Sequence, residues 1–126
     1  VIAVDQDVFG NGQDGTRPGN CWQACVASLL EFPLSKVPHF AELYPTSWWP
    51  ETQDFVATET GLRIECFMPD ARTDEGGFMI ASGQSPRGDF LHAVVINGFT
   101  GEIVHDPHPS RAGVVGEFID KFGFVS

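Results

Sequence analysis

Hydrophobic and polar positions divide the chain near Gly61, with helical spacing before it and strand-like alternation after it. Between Cys21 and Glu31, Trp22, Val26, Leu29 and Leu30 form an apolar stripe at spacings of three and four, which predicts a helix. Asn20 is a favourable N-cap for it, and Pro33 stops it. Leu34 to Phe40 predicts a second, short helix capped by Ser35. A third is predicted from Ser47 as cap, through Glu51 in the first turns, to about Thr60, ending at Gly61. Beyond that point Leu62 to Phe67 alternates, so that Leu62, Ile64 and Cys66 share a face. Apolar strands are predicted at Gly77–Ser82, Phe90–Asn97 and Glu102–His105, the last two joined by a hairpin at Gly98–Gly101. At the other end, Val1 to Val4 reads as a short first strand finishing at Asp5-Gln6, and Gly10 to Gly19 as a Gly-rich loop. The stretch Glu117 to Phe122 is assigned to no element. Helices followed by antiparallel strands make an α+β pattern, and a chain of 126 residues is one domain, residues 1–126.

Composition narrows the function more than the fold. Apolar content of 42% with eleven Phe supplies a core and excludes disorder. The net charge of −10 argues against nucleic-acid phosphates and anionic membrane surfaces as partners. No apolar run approaches the ~20 residues of a membrane span, and Val1–Asp5 does not read as a signal peptide. The cysteines are three, Cys21, Cys25 and Cys66, an odd and low number that is no disulfide framework and fits a reducing, cytoplasmic compartment.

Candidate chemistry begins with Cys21. A thiolate is the nucleophilic form of cysteine, and a helix N-terminus favours it through its free N–H groups and dipole. Cys21 stands at such a position, after the Gly-rich loop and Asn20. The same N–H groups can bind a developing oxyanion. Cys25 and Cys66 read as core residues, one on the interior of the helix and one on an alternating strand. A nucleophilic thiol needs a base, and the base needs a group that fixes its tautomer. His92 stands near the start of the apolar strand Phe90–Asn97, and Asp106 ends the return strand. A hairpin with a short turn brings these two, fourteen residues apart, to one end of the ladder.

Taken together, Gln, a helix-start Cys (within Gly19-Asn20-Cys21-Trp22), His opening an apolar strand and Asp-Pro after the return strand resemble the papain-like cysteine peptidase superfamily. The pattern is nearest to its small bacterial branch, the double-glycine leader peptidases, although Trp22 stands where those often have Gly. Ser85-Pro86-Arg87-Gly88 and His105 to Ser110 also resemble a group of small bacteriophage-encoded proteins, which would place the chain in a host cytoplasm. The superfamily resemblance implies a Cys-bearing helix packed on an antiparallel sheet and a Cys21-His92-Asp106 triad. It also implies a Gln that donates to the oxyanion: Gln6, at the end of the first strand, with Gln13 in the loop as second choice.

The expected activity is hydrolysis of a peptide, isopeptide or other amide through a Cys21 thioester, without cofactor or metal. The substrate would be a peptide, a protein tail or a small amide. Trp22, Arg87, His105 and His108 are candidate substrate contacts; Arg87 could clamp a carboxylate or phosphate, and the two histidines could line the rim. Trp48 and Trp49 could form a cleft wall. Three alternatives stand beside this reading. The thioester could pass to an amine, making an acyl transferase; the fold could serve binding or inhibition without catalysis; or His92, His105, Asp106 and His108 could hold zinc for a metallohydrolase.

Overall fold

The computed structural model describes residues 1–12 and 16–125. It is an α+β fold in which a helical region packs on a five-stranded antiparallel sheet. Helix α1 (Cys21–Leu30) ends at Glu31, which takes a left-handed conformation (φ 60°) and donates its N–H to the Ala27 carbonyl. Gln23 through Ser28 are all buried, more than an amphipathic stripe requires. The small residues Ala24, Cys25 and Ala27 let the helix sit close to its neighbours on several sides. One side meets the sheet, and another carries the N-terminal segment, where Ile2 N–H donates to the Ser28 carbonyl and Val4 N–H to Ser28 Oγ.

That N-terminal segment is not the strand predicted for Val1–Val4: it runs extended along α1 and belongs to no sheet. Ile2 and Val4 give their N–H groups to Ser28, and Gln6 gives its N–H to the Pro107 carbonyl, rather than to a neighbouring strand. The helix predicted from Leu34 with Ser35 as cap is instead a 3-10 turn, Leu34–Lys36, preceded by Pro33, and a separate short helix α2 (Phe40–Leu43). Helix α3 (Trp48–Thr60) matches its prediction closely and ends at Gly61, whose φ of 74° suits glycine. Ser47 precedes it without a side-chain capping bond.

The strands are β1 (Arg63–Phe67), β2 (Phe78–Gln84), β3 (Leu91–Asn97), β4 (Ile103–His105) and β5 (Val115–Val125). Their order across the sheet is β1-β5-β2-β3-β4. The stretch Glu117 to Phe122, assigned to no element from sequence, is thus part of β5, an interior strand. Its Lys121 explains the broken pattern: it is buried, with Nζ donating to the Ala71 carbonyl at 3.0 Å. On the sheet face toward the helices, Ile80, Val95 and Phe122 join Val26, Phe40 and Val56 in the main core. Met79, Ala81, Val94 and Ile96 form a second cluster with Phe67, Val114 and Phe118. Two buried faces account for the near-continuous apolar runs of β2 and β3. Full burial of each Ile or Val contributes roughly 1.5–3 kcal/mol. Cys66, predicted on a core-facing alternation with Ile64, is exposed. Among the described residues no helix is long and apolar enough to cross a membrane.

Candidate active site

Cys21 is the first residue of α1 and is half-buried, whereas Cys25, one turn on, is completely enclosed. The turn before Cys21 is fixed by Asn20. Its side chain makes no capping bond to α1, contrary to expectation. Its Oδ1 accepts the N–H groups of Asp7 (3.0 Å) and Val8 (2.8 Å), and its Nδ2 donates to Asp7 Oδ1 (2.8 Å) and Gln23 Oε1 (3.0 Å). A buried amide fully spent in this way holds the segment around Gln6 against the start of the helix. Gly19 is needed for the same approach, because a Cβ there would stand 2.6 Å from the Gly10 carbonyl oxygen.

His92 and Asp106 meet as the hairpin predicts. His92 Nε2 lies 2.6 Å from Asp106 Oδ1, and both residues are buried. The β3–β4 ladder pairs Val95 with His105, so the two side chains meet just past its last paired residues. Asp106 is held from three directions: Oδ1 also accepts His108 N–H (2.9 Å), and Oδ2 accepts Gly113 N–H (2.7 Å). Burial works against its charge, but the His92 bond and the two backbone donors prevail and bring its pKa down to about 2. For His92, burial again opposes the charge; hydrogen bonding to Asp106 and to Cys21 raises its pKa to about 9. With Nε2 committed to Asp106, Nδ1 is the ring nitrogen left for the thiol.

Around these groups runs a cleft of about 370 Å³, lined by Gln6, Cys21, Trp22, Arg87, His92 and His108, with Trp48, Asp120 and Phe122 at another part of its wall. Gln6 is buried and reaches it from the extended N-terminal segment, not from a strand end. Its N–H donates to the Pro107 carbonyl (3.0 Å) and its Nε2 to the Val8 carbonyl (2.9 Å), while its Oε1 has no hydrogen-bond partner among the described residues. Gln13 lies outside the described residues. His108 stands edge-on to both Phe9 and His92, at ring separations of 5.4 and 6.3 Å. Arg87 is exposed at the cleft and donates to Ser110 Oγ at 3.2 Å. Trp22 donates its indole N–H to Thr52 Oγ1 and packs edge-to-face on Phe122.

His105 is not at the rim. It is buried away from the cleft, with Nε2 2.9 Å from the Val4 carbonyl oxygen and 3.2 Å from Asp5 Oδ1. The cause is strand alternation, which turns His105 to the side opposite Asp106. The four side chains of the zinc alternative therefore do not converge on one point, and among the described residues no group of three His, Cys, Asp or Glu is arranged to hold a metal ion.

Three contributions to the site were not anticipated. Asp120 and Phe122 reach the cleft from β5, whose irregular pattern concealed which face each residue takes. Arg111, in a left-handed conformation (φ 52°), grips Asp5 through both guanidinium ends (2.6 and 2.9 Å) and also donates to the Asp106 carbonyl. It ties the segment before Gln6 to the Asp106 turn, and nothing in the local sequence signals such a bond across the whole chain. In comparisons with family models, curated proteins and solved structures, nothing matches this chain.

Proposed function

We propose that the chain is a cysteine hydrolase of papain-like type, acting on an amide or peptide through a thioester on Cys21. One observation carries the reading: a histidine fixed by a buried aspartate lines the same cleft as a half-buried thiol at a helix N-terminus. In this reading the Cys21 thiol passes its proton to His92, forming the thiolate–imidazolium pair that attacks, and Asp106 holds the orientation of the ring.

The Cys21 sulfur attacks the carbonyl carbon, and the carbonyl π electrons move to oxygen. The Cys21 backbone N–H and the Gln6 amide are the donors proposed for that oxyanion; Gln6 Nε2 has a second hydrogen beyond the one given to Val8. When the tetrahedral adduct collapses, the C–N bond breaks and the His92 proton goes to the leaving nitrogen, so an amine departs. Neutral His92 then takes a proton from water as its oxygen attacks the thioester. The C–S bond breaks, a carboxylic acid leaves, and the thiolate–imidazolium pair is restored.

The test is acylation by p-nitrophenyl acetate followed by intact mass and peptide mapping. A burst of nitrophenol with one acetyl group on Cys21, absent in Cys21→Ala, supports the reading. An adduct confined to Cys66, or none, would overturn it. Adding a primary amine separates the two fates of the thioester: amide product in place of acetate would make the protein an acyl transferase.

A further inference from the structure

One part of the cleft lining is aromatic and carries one carboxylate, Asp120. Trp22 contacts Trp48, Trp49 and Phe122 edge-to-face, with ring centroids 5.5, 6.3 and 4.8 Å away. Asp120 stands among them on β5, opposite Ser82 of β2 in the sheet register. Beyond lies a second hollow, lined by Trp49 and Cys66 and sharing Trp48, Asp120 and Phe122 with the first. Asp120 is therefore on the saddle between the two hollows. No cationic side chain pairs with it among the described residues: its contact is the Cys66 thiol, 3.9 Å away, and the neighbouring Lys121 turns to Ala71 on the other side of the strand.

We infer that this saddle is a subsite for a cationic side chain, lysine or arginine, on a peptide substrate whose scissile bond lies at Cys21. The inference rests on the cleft being the substrate site proposed above. Its chemistry is complementary in two respects. A half-buried carboxylate without a protein cation is free to pair with an ammonium or guanidinium group, and tryptophan rings are the best partners for a cation's alkyl stem and charge. A net charge of −10 draws such a substrate from a distance and disfavours an acidic one.

Binding can be read without catalysis. In Cys21→Ala, acetyl-Gly-Lys-Gly-amide and its norleucine analogue, which lacks only the ammonium group, are titrated by tryptophan fluorescence. The lysyl peptide is expected to bind about tenfold more tightly, with the gap narrowing at high salt. Asp120→Asn in the same background closes the gap to within about twofold, and Asp120→Lys shifts preference toward a glutamyl peptide. Equal binding of lysyl and norleucyl peptides, a gap that survives both substitutions, or no binding of either peptide would overturn the inference. Acyloxymethyl ketones ending in Lys or norleucine, applied to the unsubstituted protein, separate it from the catalytic reading. Discrimination between peptides with no alkylation of Cys21 sinks catalysis and keeps the subsite; equal alkylation of Cys21 by both probes sinks the subsite and keeps the nucleophile.

Discussion

Cys21 and Cys66 lie on adjoining hollows of one aromatic trough, yet they sit in opposite electrostatic settings. Cys21 begins a helix and faces an imidazole whose pKa is raised to about 9. Cys66 lies on a strand beside the Asp120 carboxylate; desolvation, with the nearby negative charge adding to it, pushes its thiol above the ordinary value. Cys25, enclosed in the core, is pushed up further, chiefly by burial. Exposure and electrostatic setting therefore point in different directions at the two thiols. Cys66 is the more exposed of the two, but its neighbours oppose the thiolate, which is the form that reacts.

The largest effect should appear in alkylation by iodoacetamide near pH 6, followed by peptide mapping. Cys21 is expected to react roughly a hundredfold faster than Cys66, and Cys25 only on unfolding. Comparable rates at Cys21 and Cys66 would erase the contrast. Next is His92→Gln, expected to slow Cys21 alkylation by about ten- to a hundredfold near pH 6 while leaving Cys66 unchanged. Its rate should then climb with pH like that of an ordinary thiol; a rate unaffected by the substitution would mean the imidazole does not activate Cys21.

Asp106→Asn sharpens the comparison through stability. The new amide keeps one acceptor but must set N–H donors against the N–H of Gly113 or His108. The melting temperature should fall by about 5–15 °C, corresponding to one or two unsatisfied buried groups, and the His92 titration should move down from about 9. An unchanged melting temperature would show the Asp106 bonds to be dispensable.

The pH dependence follows from the same pair. His92 titrates higher folded than unfolded, from 6.5 to about 9, so its contribution to stability is full below about 6.5 and lost as pH rises through 9. Asp106 titrates lower folded, from 3.8 to about 2, so its contribution is full above about 4 and lost as pH falls toward 2. The interaction is one and the same, and it supports the fold most between about pH 4 and 6.5. Urea titrations across that range check it; stability rising from pH 7 to 9 would contradict the assigned His92 shift.

The smallest structural effect is expected at Gln6. Its Oε1 is buried without a partner, so Gln6→Met removes an unsatisfied group as well as the bond to Val8 and should shift stability by less than about 1 kcal/mol. Deacylation after the p-nitrophenyl acetate burst should nonetheless slow by about a hundredfold if Gln6 serves the oxyanion. Unchanged deacylation would remove Gln6 from that role.

Most of the fold toward the middle of the chain was legible because local rules decided it. Gly61 ended α3, and continuous apolar runs marked β2 and β3. The Cys21, His92 and Asp106 positions were legible for the same reason, since a helix start and a hairpin are local features that place a side chain. What sequence reasoning missed is set by distant partners. Val1–Val4 has strand composition but spends its hydrogen bonds on Ser28. Asn20 looks like a cap, yet Asp7, Val8 and Gln23 use all of its valences. His105 was a rim candidate, but its partners are the distant Val4 carbonyl and Asp5. Lys121 and Asp120 spoil the alternation of β5 because each has its own reason to be there, one a carbonyl and the other a trough.

The placement of β5 bears on the order in which the molecule can assemble. It follows the other four strands in the sequence yet lies between β1 and β2, which form no ladder with each other. During synthesis the β2–β3–β4 meander can close early, bringing His92 to Asp106, while β1 waits with an unpaired edge. Only when residues 115–125 emerge can the two parts of the sheet be zipped together, and the same event delivers Asp120 and Phe122 to the trough. A nascent chain would thus pair His92 with Asp106 before β5 supplied its part of the cleft wall.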